Sequence, residues 1–163
     1  MRDAVIIGIT VLLAILLGLW LFLEEAPKAK APEGAASFSV LEEGQFSGSI
    51  TERKNYRIQS DEGLRELWRL VYGNDGPIVP DIDFDTYELL AVFDGTHSSG
   101  GYDITVEAVM DTPAVRTVSI LHTVPGEECL TSQAITSPFE IVILPKSAAT
   151  ISRTDRIETI SCQ

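Results

Sequence analysis

Tyr102-Asp103-Ile104-Thr105-Val106-Glu107-Ala108-Val109-Met110 is the stretch that decides the fold class. Tyr102, Ile104, Val106 and Ala108 recur at every second position and share one face, the pattern of a half-buried strand. Turn residues follow from Asp111 to Pro113, and Val115 to Val124 reads as an antiparallel partner beyond them. Working outward, Tyr87 to Phe93 is a compact apolar strand ended by Asp94-Gly95. Phe139 to Leu144 is another, stopped by Pro145, and Arg156 to Ser161 closes the chain. Upstream, Ser37 to Leu41 and Asn55 to Gln59 read as short strands. Strands at such short spacing predict a mainly β fold, an antiparallel sheet or sandwich.

One helix interrupts them. Leu64, Leu67, Trp68, Val71 and Tyr72 fall at i, i+3, i+4, i+7 and i+8, one apolar stripe with Arg65, Glu66 and Arg69 opposite. Ser60 is the natural N-cap, Asp61 and Glu62 complement the dipole in the first turn, and Gly73 supplies the stop. Such a stripe must pack on something, and a sheet is the surface on offer. The turn-rich stretch from Asn74 to Asp85 then leads into the strands.

The N-terminal part is of a different kind. From Ala4 to Leu23 there is no charged side chain. At 1.5 Å per residue, such a run spans about 30 Å as a helix, the thickness of a bilayer's hydrocarbon core. Residues 1–25 are therefore expected to be a transmembrane signal-anchor, with Trp20 at headgroup level. The short tail before the span leaves the N-terminus cytoplasmic and the C-terminal domain outside, a single-pass arrangement. Residues 26–36, rich in Ala, Pro and Lys without apolar periodicity, read as a linker, and residues 37–163 as one domain.

The chain carries a formal net charge of −12, and from Ser37 onward 20 acidic side chains stand against 9 basic ones. Such a surface repels phosphate backbones, so nucleic acid is not an expected partner. There are two cysteines, Cys129 and Cys162. In an extracytoplasmic domain an even count suggests a disulfide tying the terminal strand back to the domain interior, the alternative being two independent buried thiols.

Motifs for catalysis are missing from the sequence. It has no Gly-x-Ser-x-Gly elbow, no Ser-x-x-Lys, no His-Glu-x-x-His and no phosphate-binding glycine loop. His97 and His122 are too far apart to read as a metal pair, His97-Ser98-Ser99 reads as a polar loop tip, and His122 as a solvent-facing strand residue. Asp81, Asp83 and Asp85 begin like a calcium loop, but Thr86 and Val92 stand where such a loop needs Gly and Glu. No enzyme activity, cofactor or metal is expected.

The loop Gly95-Thr96-His97-Ser98-Ser99-Gly100-Gly101-Tyr102 is the most particular feature. Adjacent glycines before a strand allow positive φ and close backbone approach, which suits either a tight connection or the presentation of backbone to a partner. Ser99-Gly100-Gly101-Tyr102 resembles the Thr-Gly-Gly-Tyr segment of the PrcB-type C-terminal domain family, whose namesake is part of a protease complex. Cys129-Leu130-Thr131-Ser132-Gln133-Ala134-Ile135-Thr136-Ser137-Pro138-Phe139 is similar to that family's Cys-x-x-Thr-Gln-Ala-Leu-Thr-Ser-Pro-Tyr segment. The likeness runs over about Tyr87 to Lys146. Members are often lipoproteins, whereas no Cys follows the apolar segment here. The resemblance implies a non-catalytic accessory domain that binds or stabilises an extracytoplasmic protein, with a protease as the partner class. It also implies a surface that includes Ser99, Gly100, Gly101, Tyr102, Gln133, Pro138 and Phe139.

A shorter similarity links Ser99 to Tyr102 and Ser137-Pro138-Phe139 with the loops of chagasin-type cysteine protease inhibitors. It leaves open a direct inhibitor acting through Ser98 to Tyr102. A structural envelope protein without a discrete site is the third alternative.

Overall fold

The computed structural model describes residues 33–162. The expected anchor and all but the end of the expected linker lie outside the described residues. Among those residues no helix is long and apolar enough to cross a membrane.

Among the described residues seven strands and one helix follow in the order β1 (Ser39–Gly44), β2 (Lys54–Ile58), α1 (Asp61–Tyr72), β3 (Tyr87–Phe93), β4 (Asp103–Asp111), β5 (Val115–Pro125), β6 (Phe139–Pro145) and β7 (Thr150–Ile160). They form a four-stranded sheet, β1-β6-β3-β2, and a three-stranded sheet, β4-β5-β7. All neighbours are antiparallel except β5 and β7, which run parallel in unbroken register from Val115↔Thr150 to Pro125↔Ile160.

Helix α1 forms as its sequence dictates. The Ser60 hydroxyl accepts from the Gly63 amide, and Gly73, at φ 76°, returns its N–H to the Arg69 carbonyl. Its buried stripe of Leu64, Leu67, Trp68 and Val71 packs on Leu89, Ala91, Phe93, Phe139 and Ile141. The opposite face of that sheet presents Leu90, Val92, Val142 and Leu144 to Ile104, Val106, Val109, Val118 and Ile120 of the second sheet. The result is three layers, with β3 and β6 in the middle and buried on both faces. That double burial is why Leu89 to Phe93 reads as a continuous apolar run rather than an alternation.

Two readings of the sequence need correction here. Tyr102 lies outside β4, and Ala108 does not share a face with Ile104 and Val106. A bulge falls between Val106 and Ala108, so the extra residue at Glu107 rephases the strand and turns Val109 inward instead. The closing strand also begins at Thr150 rather than Arg156.

Charged groups are enclosed at one end of the sandwich. Glu88, fully buried, accepts from Arg116 Nη1 at 2.6 Å, from Arg57 Nε at 2.9 Å and from Gln59 Nε2 at 2.7 Å. Arg116 also grips Asp111, at 2.7 and 2.5 Å, and the Pro145 carbonyl at 2.8 Å. Buried charge is tolerable only when paired and hydrogen-bonded in this way.

Candidate functional site

The two segments singled out by the sequence meet at the opposite end. Beyond β3, Asp94 donates its N–H to the Pro138 carbonyl, and His97 and Thr136 exchange backbone hydrogen bonds at 2.8 and 3.1 Å. The Gly100 N–H reaches the Ser132 carbonyl at 3.0 Å, and the Thr136 hydroxyl donates to the Ser99 carbonyl at 2.8 Å. The glycine loop thus lies along Ser132 to Pro138 as an irregular ribbon. Ser137 extends the ribbon by donating its N–H to the Gln45 carbonyl, and the Ser47 N–H bonds the Ser137 hydroxyl.

This packing demands glycine at Gly101 and leaves little room at Gly100, where the exposed Ser132 hydroxyl would have to turn away from a side chain. A Cβ on Gly100 would stand 2.5 Å from the Ser132 hydroxyl oxygen. Gly101 sits at φ +92°, where L residues are strained, and a Cβ there would press on Pro125 and Thr131 at 3.1 Å each.

Beneath the loop lies a polar hub. Asp94, nearly all buried, accepts from His122 Nδ1 and Arg53 Nη2 on one oxygen and from His97 Nε2 on the other, all at 2.7 Å. The ring of Tyr102 stacks on His97, with centroids 3.8 Å apart and planes 6° from parallel. For Asp94 to accept from both imidazoles, His122 must carry its proton on Nδ1. Its Nε2 is then left buried without a hydrogen-bond partner among the described residues, 3.7 Å from Asp155. His122 is therefore not the solvent-facing strand residue expected from sequence. Its alternation in β5 placed it on one of two faces, and the Asp94 carboxylate makes the inner one habitable. The two histidines, distant in sequence, are brought to one carboxylate by the β3–β5 juxtaposition.

The sequence-derived surface divides in two. Ser99 and Tyr102 are half-buried, Gly101 and Gln133 exposed, and Gly100 buried beneath the loop. Pro138 and Phe139 are corrections: both are buried. Phe139 is 3% exposed and stacks on Phe93, with centroids 5.6 Å apart, so it belongs to the core under α1. In their place the fold exposes three large apolar side chains on the same knot of loops. Leu130 is fully exposed, Ile135 is 63% exposed, and Phe46, whose segment bridges to Ser137, is 63% exposed. Leu130 and Ile135 are the two large apolar residues in the otherwise small or polar run Cys129 to Ser137, the one sequence signal that would have marked them.

The expected disulfide is present. Cys129 and Cys162 are joined, fastening the loop after β5 to the end of β7 near the surface rather than to the interior. The aspartate-rich turn before β3 behaves as a capping turn: Asp83 accepts from the Asp85 amide at 3.1 Å. Hydrogen bonds from Thr86 and Asp85 hold its carboxyl below the usual range. Among the described residues no cluster of His, Cys, Asp or Glu has the geometry to hold a metal ion.

Comparison with known proteins bears on this end of the molecule. A family model described as PrcB C-terminal matches residues 89–145, which take in β3 from Leu89 through the end of β6. That span contains the glycine loop and the segment it pairs with, so the resemblance read from those two motifs holds across the strands that carry them. No curated protein and no solved structure matches the chain.

Proposed function

We propose that the domain is a non-catalytic accessory module that binds and steadies an extracytoplasmic protein. The partner class is a protease, and the apolar N-terminal segment holds the module at the membrane. The observation that carries this reading is the knot of loops at one end. A glycine loop is pinned along Ser132 to Pro138, and Phe46, Leu130 and Ile135 are exposed beside it. Most of that knot lies within the stretch matching the PrcB C-terminal family, whose namesake association supplies the protease. Large apolar side chains held outward on a rigid loop framework suit protein recognition better than solvent. Asp94 and the two histidines support the non-catalytic part of the reading, because they hold one another as a buttress under the loop. The inhibitor alternative is less well served. Its wedge would have to project, whereas Ser99 to Gly101 lie against Thr131, Ser132 and Thr136.

The test is crosslinking of the full chain in native membranes, comparing wild type with Leu130→Asp/Ile135→Asp. Both positions are exposed, so the variant should keep its melting temperature. A protease identified by mass spectrometry in the wild-type adduct and lost from the variant is expected. Recovery of a different protein would remove the protease from the reading. Adducts unchanged in the folded variant would remove the surface itself.

A further inference from the structure

Strand β7 is unusual in this fold. It pairs with β5 on one side only, as the edge of the three-stranded sheet, and every one of its residues from Thr150 to Ile160 is exposed. Its register with β5 fixes which side chains face inward. Arg153 lies beside Val118 and Asp155 beside Ile120, both β5 partners being core residues, so Ile151, Arg153, Asp155 and Ile157 share the inner face. That face overhangs the four-stranded sheet. A groove of about 640 Å³ runs between β7 and the opposite edge strand β2, floored by Leu90, Val92, Val118 and Ile120. Ile151 and Ile157 on that inner face remain 39% and 64% exposed.

Open edges are normally blunted by charge, and β7 carries Arg153, Asp155, Arg156 and Glu158. Their order matters more than their number. Two copies of one strand can pair antiparallel only about a two-fold axis perpendicular to the sheet, so inner faces inner and the centre falls on a residue. Centring on Arg153, Asp155 or Arg156 sets a charge against its own copy, which is unfavourable. Centring on Thr154 does the reverse. Arg153 then faces Asp155 and Ile151 faces Ile157 on the inner side, each twice by symmetry. On the outer side Thr154 meets Thr154, Ser152 meets Arg156 and Thr150 meets Glu158. Centring on Ile157 also pairs Arg156 with Glu158, but it uses only the last part of the strand and sets Arg153 opposite Ser161.

We infer that β7 is a self-association edge. Two copies of this chain pair their β7 strands antiparallel about Thr154, joining two three-stranded sheets into one continuous sheet. The charges that would repel most other strands select this register, and the four isoleucines, Ile151 and Ile157 from each copy, cover the mouth of the apolar groove. The pairing centres on Thr154, beside Ser119 in the middle of β5, and the end of β7 is tied to the loop knot through Cys129 and Cys162.

The experiment uses the full chain in detergent. Cys129 and Cys162 are bonded to each other, so Thr154→Cys introduces the free thiol. Mild oxidation should convert this variant to a covalent dimer, and Ile157→Cys should react far less. Asp155→Arg opposes arginines twice and should weaken dimerisation by about tenfold or more in sedimentation. The swap Arg153→Asp/Asp155→Arg restores both pairs and should restore the dimer, an outcome that a folding defect would not produce. A monomeric wild type at about 100 μM, far above the range of specific interfaces, would overturn the proposal. So would preferential crosslinking through Ile157→Cys, or a Thr154→Cys adduct formed in native membranes only with another polypeptide.

Discussion

His122 Nδ1 stands 2.7 Å from Asp94 Oδ1 inside the fold, although 28 residues separate them in sequence. The same carboxylate takes Arg53 and His97, so one side chain joins the end of β3, the approach to β2, the glycine loop and β5. Asp94→Asn sets an amide nitrogen against one of these donors. The expected loss is about 2–3 kcal/mol in urea unfolding, the scale of charged buried hydrogen bonds. Hydrogen exchange should quicken first in Thr96 to Tyr102. Arg53→Ala should cost about 1 kcal/mol or less, because that guanidinium is 44% exposed and screened. Equal effects of the two variants would mean that Asp94 is not the hub described.

At the other end, Glu88 and Arg116 are both buried and 2.6 Å apart. Arg116→Met strips Asp111 and the Pro145 carbonyl of their donor and leaves Glu88 to Arg57 and Gln59. A loss of about 3–5 kcal/mol is expected. Arg116 also holds the Asp111 carboxyl below its ordinary value of 3.8, chiefly by hydrogen bonding. A depressed carboxyl stabilises the fold above its unfolded pKa, and that contribution is lost as pH falls through the folded one. Wild-type stability should therefore drop on acidification below about pH 4, and Arg116→Met should flatten that part of the profile. A parallel drop in both proteins would sink the assignment.

What can be read from sequence follows burial. The run Tyr87 to Phe93 is bounded as expected because turn residues end it and both its faces are packed. The stripe of α1 is legible for the same reason, since a single sheet face selects it. Strand β7 is only half legible because it is exposed on both faces. Without a buried side, Thr150 to Asp155 show no alternation to read, and only the parallel ladder with β5 makes them a strand. The glycine loop is recognisable, but the residues that make its surroundings a surface are not. Phe139 starts a strand in the sequence and the family resemblance puts it on the partner surface, and only the three-layer packing shows it stacked on Phe93.

Glu140 is a third buried acid, and among the described residues no cation pairs with it. Its Oε2 accepts from the Val106 N–H at 2.7 Å between the sheets. Burial raises its pKa above the ordinary 4.5, with the Val106 bond opposing. The sign is opposite to that of Asp111. The folded state holds this proton more tightly than the unfolded chain does, so the group's contribution falls as pH rises from its unfolded to its folded pKa. Glu140→Gln keeps an acceptor for Val106 and removes the charge. It should match or exceed wild-type stability at pH 7, by up to about 1 kcal/mol. Thermal melts from about pH 4 to pH 8 give the comparison. A clear loss at neutral pH would show that the ionised form is itself held favourably.

The bridge between Cys129 and Cys162 closes a loop of sequence separation 33 that contains β6 and β7. In the chain-entropy model, releasing it costs about 3–4 kcal/mol. Cys129→Ser/Cys162→Ser should show that loss in urea unfolding, with its m-value read alongside to reveal a change in the unfolded state. The local consequence is more telling. Cys129 begins the segment that carries Leu130 and Ile135 and that receives the glycine loop at Ser132. Opening the bridge should therefore raise hydrogen exchange at Gly126 to Ser132 and at the end of β7, while β3, packed on both faces, keeps its protection. If exchange instead rose uniformly, the bridge would be acting on global stability alone and would have no part in holding the loop knot in place.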